Sequence, residues 1–405
     1  MAPARMRIVL FNQFFWPDMS ATSQILTDTA QFLAKEHEIV VICSGNGTKL
    51  TNSEADFAAG VLAIRTQSAG FGHRTWQRLS SYLSYLAGSL FWGLKIKRPE
   101  VYVTLTTPPV LSIVGSLLSI LRGTNHVIWE MDVYPDIATD IHYLKPGGLL
   151  DRVIGWALDW SRRRARTIIV LGEDMKDRLT ARGIPDSNIK VVENWADGNA
   201  IRQLPFPDGP LVIYYSGNLG LAHETETIQR VIERLANHRD FRFVFAGGGP
   251  RRLALEEFCR TQRILNVEFR PYSKRSELQT SLAEGHLGLV TQLPQTLGSI
   301  VPSKIYGIMA AGRPLLFVGP AQSTPARHIR RFECGWHVPS GNVEELESLL
   351  IHLNRNRALL TEAGTRARQA FESEFDSPIG LTAIKNIIED AVLPQPRSVQ
   401  RNAMT

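Results

Sequence analysis

The chain has 405 residues, enough for two domains that each bury a core of their own. Its 44% hydrophobic and 21% charged residues are ordinary for a globular protein. A formal charge of +6 and a pI near 9.3 point to an anionic partner: phosphates, a membrane surface or nucleic acid. Cys43, Cys259 and Cys334 show no metal or redox spacing, which fits a reducing cytoplasm. The start runs straight into a strand pattern, so no leader is expected. No run of about 18 residues is apolar throughout, so no spanning helix is expected either.

In chain order, Arg7–Phe11 reads as a buried strand, and a loop holding Phe14, Phe15, Trp16 and Pro17 follows. A helix from about Ala21 to Lys35 starts among Ser20, Thr22 and Ser23, an N-terminus rich in donors. Glu38–Cys43 and Val61–Thr66 are the next strands, and this βαβ opening argues for a parallel sheet. The loop lacks G-x-G-x-x-G, so the usual dinucleotide fingerprint is absent. His73–Arg98 contains an aromatic, apolar helix with His73, Arg74, Arg78, Lys95, Lys97 and Arg98 around Trp76, Tyr82, Tyr85, Phe91 and Trp92. That composition suits an interfacial membrane helix, although the helix taken alone reads rather as a core helix with a solvated end. Val101–Leu105 is a strand, Val110–Leu121 a helix, and His126–Asp136 a strand ending in Glu130, Asp132 and Asp136. Carboxylates at that edge lie where such sheets place chemistry, although Asp136 could simply cap the next helix. Helices at Asp151–Arg166 and Glu173–Arg182 alternate with strands at Thr167–Leu171 and Lys190–Val192. Gln203–Pro210, with three prolines and a glycine, reads as an interdomain linker.

The pattern then restarts. Strand Leu211–Tyr215 leads into a tight glycine turn at Ser216–Gly220, and strand Phe241–Ala246 ends in Gly247-Gly248-Gly249-Pro250 before Arg251 and Arg252. After strands at Val267–Phe269 and Gly285–Val290 comes Val301–Val318. There Pro302 and Ser303 open a short helix, Lys304 to Ala311, Gly312 sits past its end, and Pro314 stops it before strand Leu315–Val318. Gly335–Val338 and Val343–Leu353 form a final strand and helix. Helices near Thr361–Phe375 and Pro378–Ala391 and a polar tail complete the chain. Three features converge on phosphate: the Gly-Asn-Leu-Gly turn, the triple glycine followed by two arginines, and the Ser303-Lys304 helix start. Each alone could be a turn glycine or a surface cation. Together, at strand C-terminal ends of one half, they make a diphosphate cleft the better reading.

The order Gly-Asn-Leu-Gly, Phe-Ala-Gly-Gly-Gly-Pro, Pro-Ser-Lys-Ile-Tyr-Gly-Ile-Met-Ala-Ala-Gly-Arg-Pro resembles the GT4 family of retaining glycosyltransferases. Asn194-Trp195-Ala196-Asp197 is similar to that family's segment before the linker. Asn12–Asp18 and Trp129–Asp136 resemble the branch of L-fucosamine transferases of O-antigen, capsule and colanic acid assembly. The resemblance covers essentially the whole chain. It implies an α/β protein of the GT-B fold, with two Rossmann-like parallel-sheet domains facing each other across a cleft. Residues 1–204 would bind the acceptor and 205–375 the nucleotide sugar, with a C-terminal helix and polar tail at 376–405. The implied reaction is retaining transfer of a hexosyl unit, from a UDP-linked N-acetylated amino sugar, to a lipid-diphosphate-linked saccharide. No cofactor and no metal are implied. The enzyme would work in the cytoplasm, peripheral to the inner face of the plasma membrane, with the basic stretch His73–Arg98 meeting an anionic membrane surface.

The implied donor-binding residues are Gly217, Asn218, His223, Gly248, Arg251, Tyr272, Ser303, Lys304 and Tyr306. Phe15, Ser20, Thr22 and Asp136 would meet the acceptor, and Asp132 or Glu130 would act on it. The chain also departs from the family. The two glutamates found in many members fall on Ser299 and Gly307, and the arginine and lysine that grip the diphosphate fall on Asn218 and His223. Lys304, Arg251 and Arg252 are then the cationic candidates. A usual His-Asp pair is Met131-Asp132 here. These departures leave open a GT-B-type sugar-nucleotide epimerase and a non-catalytic nucleotide- or glycan-binding component of an assembly complex. Nucleic acid is not expected, because the charge is scattered without a recognised module.

Overall fold

The structure, a computed structural model, describes residues 5–18, 20–45, 60–66 and 75–393, apart from the side chains of residues 75 and 76. In the first half, β1 (Arg7–Phe11), α1 (Ala21–Ala34), β2 (Glu38–Ser44), β3 (Val61–Thr66), α2 (Thr75–Lys95), β4 (Val101–Thr104), α3 (Leu111–Arg122) and β5 (Asn125–Trp129) alternate. There follow α4 (Asp136–Asp140), α5 (Leu149–Arg164), β6 (Thr167–Val170), α6 (Glu173–Ala181) and β7 (Ile189–Val191). The second half holds β8 (Leu211–Asn218), α7 (Glu226–Arg234), β9 (Phe241–Gly248), α8 (Pro250–Thr261), β10 (Val267–Arg270), α9 (Leu278–Ala283) and β11 (Leu287–Thr291). It ends with α10 (Lys304–Ala310), β12 (Leu315–Val318), α11 (Thr324–Phe332), β13 (Gly335–Val338), α12 (Val343–Arg355), α13 (Ala358–Ala370) and α14 (Ser377–Asp390).

Seven strands form one sheet in the order β3-β2-β1-β4-β5-β6-β7, and six form another in the order β10-β9-β8-β11-β12-β13. The ladders from β3 to β5 and throughout the second sheet are parallel. Such sheets are covered on both faces, which is why their strands are continuous apolar runs such as Ile8–Phe11 and Leu315–Val318, all buried. In each sheet the strand order reverses at one point, between β1 and β4 and between β8 and β11. Open sheets bind ligands outside the strand C-terminal ends at such points.

By contacts the chain forms two compact units. One is Met1–Trp129, Trp160–Ile168 and Leu381–Thr405; the other is Glu130–Asp159 and Ile169–Gly380. In the first, α2 and α3 cover the sheet through Tyr85, Leu111, Val114 and Leu118, packed on Val9, Phe11, Val40 and Ile42. Tyr85, expected among the membrane-facing aromatics, is instead fully buried, its hydroxyl donating to the Ile42 carbonyl at 2.8 Å. The end of α14 belongs to this unit, where Lys385 pairs with Glu36 and Glu389 meets His37 at 3.0 Å.

In the second unit two apolar clusters lie around the six-stranded sheet. Gly312 follows α10 with φ 64°, the left-handed conformation that the chain reversal before Pro314 demands. Arg313 is almost fully buried, yet donates to the carbonyls of Leu204 (3.0 Å), Pro205 (2.9 Å) and Ala283 (2.8 Å). Its guanidinium lies 4.3 Å from the Phe206 ring centre, and burial brings its pKa down to about 10. The proline-rich stretch read as a linker is thus held to this unit by side chains that satisfy its carbonyls: Arg313 at Leu204 and Pro205, His286 at Pro207 (2.9 Å) and Arg357 at Gly209 (3.3 Å).

Candidate active site

The glycines after Tyr215 do not form the expected turn. β8 continues through Asn218, with Gly217 opposite Gly247 and Asn218 opposite Gly248 on β9. Gly217 and Gly247 have φ of 128° and 131°, and a Cβ on Gly247 would lie 2.0 Å from the Gly217 carbonyl oxygen. Only glycine permits both the angle and this approach. The strand ends bring together much of the expected donor set. Tyr272, exposed, lies against Gly248, its ring 3.1 Å from where a Cβ would be. The Arg251 amide donates to the Leu219 carbonyl at 3.1 Å as α8 begins.

His223 sits at the reversal point between β8 and β11. Its Nδ1 is 2.8 Å from the carbonyl oxygen of Thr291, at the end of β11. A carbonyl can only accept, so Nδ1 carries the proton and Nε2 faces Lys304 Nζ at 3.4 Å as an acceptor; the Tyr215 hydroxyl, which donates to the Asn218 carbonyl at 2.8 Å, lies 3.4 Å from the same nitrogen. Burial, then the charge of Lys304, pushes the His223 pKa down to about 3. Lys304 Nζ also lies 4.7 Å from the Tyr215 ring centre, and desolvation lowers its pKa to about 7. Among the described residues no carboxylate pairs with Lys304. A desolvated cation without a counter-ion is what an absent anion would compensate. Arg251 adds charge that His223 feels. Arg252 is engaged elsewhere, 3.1 Å from Glu256 and 5.4 Å from the Phe269 ring centre.

Ser303 occupies the N-cap position of α10 but has helical angles and makes no side-chain cap bond, which leaves it exposed beside Lys304. Tyr306, expected against the donor, points the other way. It is fully buried and donates to Glu193 Oε2 at 2.8 Å, with His328 Nε2 2.7 Å from the same oxygen. Burial raises Glu193 to about 7 and lowers His328 to about 4. Sequence reasoning missed this trio and the Asp174–Thr324 hydrogen bond (2.7 Å) near it. Both rest on α11, a helix with Pro325 in its first turn and no long apolar run.

The strand expected to reach Asp136 stops at Trp129. Glu130 is buried, and its amide donates to the Ile169 carbonyl at 2.8 Å. Asp132 pairs through its backbone with Ile300, and the Val133 amide donates to the Ser299 carbonyl at 2.8 Å. The carboxylate of Asp132 therefore belongs beside the segment that leads into Lys304. Among the described residues it has no side-chain hydrogen-bond partner, and burial and the charge of Glu130 raise its pKa to about 6. Asp136, expected at the acceptor, is held instead by Arg178 at 2.9 Å and Arg182 at 3.0 Å. Those arginines also bind Asp140 and Asp159, each at 2.9 or 2.8 Å, so Asp136 belongs to an ion network. The other three acceptor candidates lie in the first unit. Phe15 is buried, and Ser20 Oγ caps α1 by accepting from the Ser23 amide at 3.3 Å, with Thr22 Oγ1 3.5 Å away.

Residues 22–195 match the Glycosyl transferase 4-like domain, and residues 197–370 match the Glycosyl transferases group 1 family. The probable glycosyltransferase WbjE of Pseudomonas aeruginosa is 25% identical over 291 residues, which are 67% of this chain and 71% of that relative. An Escherichia coli (strain K12) protein named for colanic acid biosynthesis, the glycosyl transferase WcaI, is 28% identical over 225 residues. That match covers 52% of this chain and 53% of the relative. Among solved structures, Anabaena Alr3699/HepE in complex with UDP-glucose superposes with a TM-score of 0.70 at 14% identity, covering 95% of this chain and all of that one.

Proposed function

Since this chain belongs to the GT4-type glycosyltransferases, whose two domain models together span residues 22–370, we propose that it takes its sugar from a nucleoside diphosphate donor, UDP-linked and N-acetylated, and passes it to a lipid-diphosphate-linked saccharide in cell-surface polysaccharide assembly. The observation that carries this reading is the uncompensated Lys304, held with His223 and Tyr215 at the reversal point of the six-stranded sheet, with Asp132 on the neighbouring segment. Colanic acid in the name of one relative and UDP-glucose in the structure of a neighbour support the pathway class and the nucleotide.

In this reading residues 205–375 hold the donor, residues 1–204 the acceptor, and 376–405 add the last helix and tail. The diphosphate meets Lys304, Arg251, Ser303 and the backbone of Gly217 and Asn218, and the exposed ring of Tyr272 is free to stack on the base. As the sugar–oxygen bond breaks, Lys304 balances charge that develops on the leaving phosphate. The acceptor hydroxyl attacks from the same face, its proton passing to that phosphate oxygen, and the anomeric configuration is retained. Asp132 orients the acceptor hydroxyl through its carboxylate, whose pKa near 6 leaves it mostly ionised at pH 7.

The reading places the enzyme on the cytoplasmic membrane face through α2. Leu79, Leu83, Phe91 and Leu94 are exposed along that helix, and Lys95 lies near the Phe91 and Trp92 rings. His73 and Arg74 fall outside the described residues. Among the described residues no helix is long and apolar enough to cross a membrane. The test is mass spectrometry of products after UDP-, GDP- and dTDP-sugars are offered with a lipid-diphosphate saccharide. A glycosylated lipid from a UDP-amino sugar is expected. Donor turnover to a free epimer, or no turnover with any donor, would overturn the proposal.

A further inference from the structure

A different helix carries an apolar face that is exposed among the described residues. On α5, Leu149, Val153, Trp156 and Trp160 follow one another at i, i+4, i+7 and i+11, which is a single stripe of an α-helix. Leu149 is 79% exposed, Val153 53% and Trp156 71%; Leu150 beside them is 66% exposed. Tyr143, in the turn that leads into the helix, is 69% exposed. A tryptophan that open to water among three aliphatic side chains is unusual for a surface that meets only solvent.

The charges on the same helix are sorted. At 100° per residue, Arg152 and Arg163 flank the stripe on one side and Arg164 on the other, all exposed, and Lys145 is exposed in the preceding turn. Arg164 reaches over the Trp160 ring at 5.6 Å. Both carboxylates of α5 are turned away and in use. Asp151 accepts from the Gly147 amide at 2.8 Å, and Asp159 pairs with Arg182 at 2.8 Å. The outward face of α5 itself therefore offers apolar and cationic side chains, and neither of the helix's own carboxylates lies on it.

We propose that this face of α5 is a membrane-contact element that lies in the headgroup layer of an anionic bilayer, with Trp156 as its anchor. Tryptophan prefers that layer, the aliphatic side chains reach the acyl boundary, and the arginines meet lipid phosphates. A second copy of the chain fits poorly, because a two-fold contact would set the same arginines against each other without a carboxylate between them. The C-terminal tail beyond residue 393 fits no better, since its charged side chains are Arg397 and Arg401. The inference rests on the reading of the acceptor as lipid-linked only for its biological sense; its physical argument is the sorted face itself.

The experiment uses the full chain with Trp156→Cys carrying an environment-sensitive fluorophore; Cys43, Cys259 and Cys334 are buried and stay unlabelled in the folded protein. An Arg230→Cys label, exposed on α7, is the control. Vesicles with phosphatidylglycerol should shift the position-156 label to the blue, and nitroxide-bearing lipids should quench it, while phosphatidylcholine vesicles and the control label show neither. Changing Leu149, Val153 and Trp156 together to Ser should weaken partitioning about tenfold or more without altering the thermal midpoint. Each of Arg152→Gln, Arg163→Gln and Arg164→Gln should weaken it about fivefold on anionic vesicles. Flotation of the protein with an unshifted, unquenched label would overturn this inference while leaving docking through α2 intact. Failure to float would overturn both. Concentration-dependent self-association that shifts the label without lipid would assign the face to a second copy and refute the membrane role.

Discussion

Removing the charge of Lys304 should separate stability from binding in opposite directions. Lys304 ordinarily titrates near 10.5 and is brought down to about 7 by desolvation. Below pH 7 it is charged in the folded and the unfolded chain, and the folded state carries the full cost of desolvation. Between pH 7 and 10.5 the unfolded chain holds more protons, so that cost shrinks as pH rises, and above 10.5 it is gone. Lys304→Met should accordingly raise the melting temperature of the ligand-free protein most at or below pH 7 and least in alkali. A charge-assisted contact is worth about 1.5–3 kcal/mol, so the same variant should lose about 10- to 150-fold in UDP affinity. Because the diphosphate needs the charged form, affinity for UDP in the unmodified protein should itself fall about 15-fold from pH 7 to 8.5. Calorimetry in two buffers of different ionisation enthalpy should show a proton taken up on binding in that range. A pH-independent dissociation constant, equal in the parent and Lys304→Met, would refute the assignment of this lysine to the diphosphate.

Asp132→Asn should lower turnover far more than UDP affinity; an equal loss in both, by steady-state kinetics beside calorimetry, would place Asp132 on the donor side or in folding. Tyr306→Phe leaves Glu193 with one partner fewer in a buried site and should cost about 1–3 kcal/mol in urea unfolding with UDP binding unchanged. A weakened UDP complex in that variant would return Tyr306 to the donor site. Arg313→Met strands the carbonyls of Leu204, Pro205 and Ala283 and should destabilise the protein by about 2–5 kcal/mol, read as an earlier urea midpoint. An unchanged midpoint would mean that water replaces the guanidinium without cost.

What the sequence determined by itself was set by local physics. Strands such as Arg7–Phe11 and Leu315–Val318 are legible as short apolar runs, because a parallel sheet covered on both faces has no polar side to show. Gly312 and Pro314 mark the end of α10 through backbone angles that hardly depend on neighbours. The alternation of strands and helices, restarting after the proline-rich stretch, was enough to describe two parallel sheets. Tertiary structure decided whatever depends on partners distant in sequence. The strand ends at Gly217 and Gly247 look like turns because glycine has no side chain to pattern, and only the opposing strand shows that they pair. α11 escaped notice because its burial is earned against α13 and β13, not by its own periodicity. Tyr85 and Tyr306 are amphipathic residues whose hydroxyls can face water or a buried acceptor, and Ile42 and Glu193 settled which. Asp136 shows the same limit from the charged side. A carboxylate in the loop and helix start beyond a strand is equally suited to a substrate or to two arginines, and the arginines stand more than forty residues away in sequence, where only the folded chain brings them within 3.0 Å.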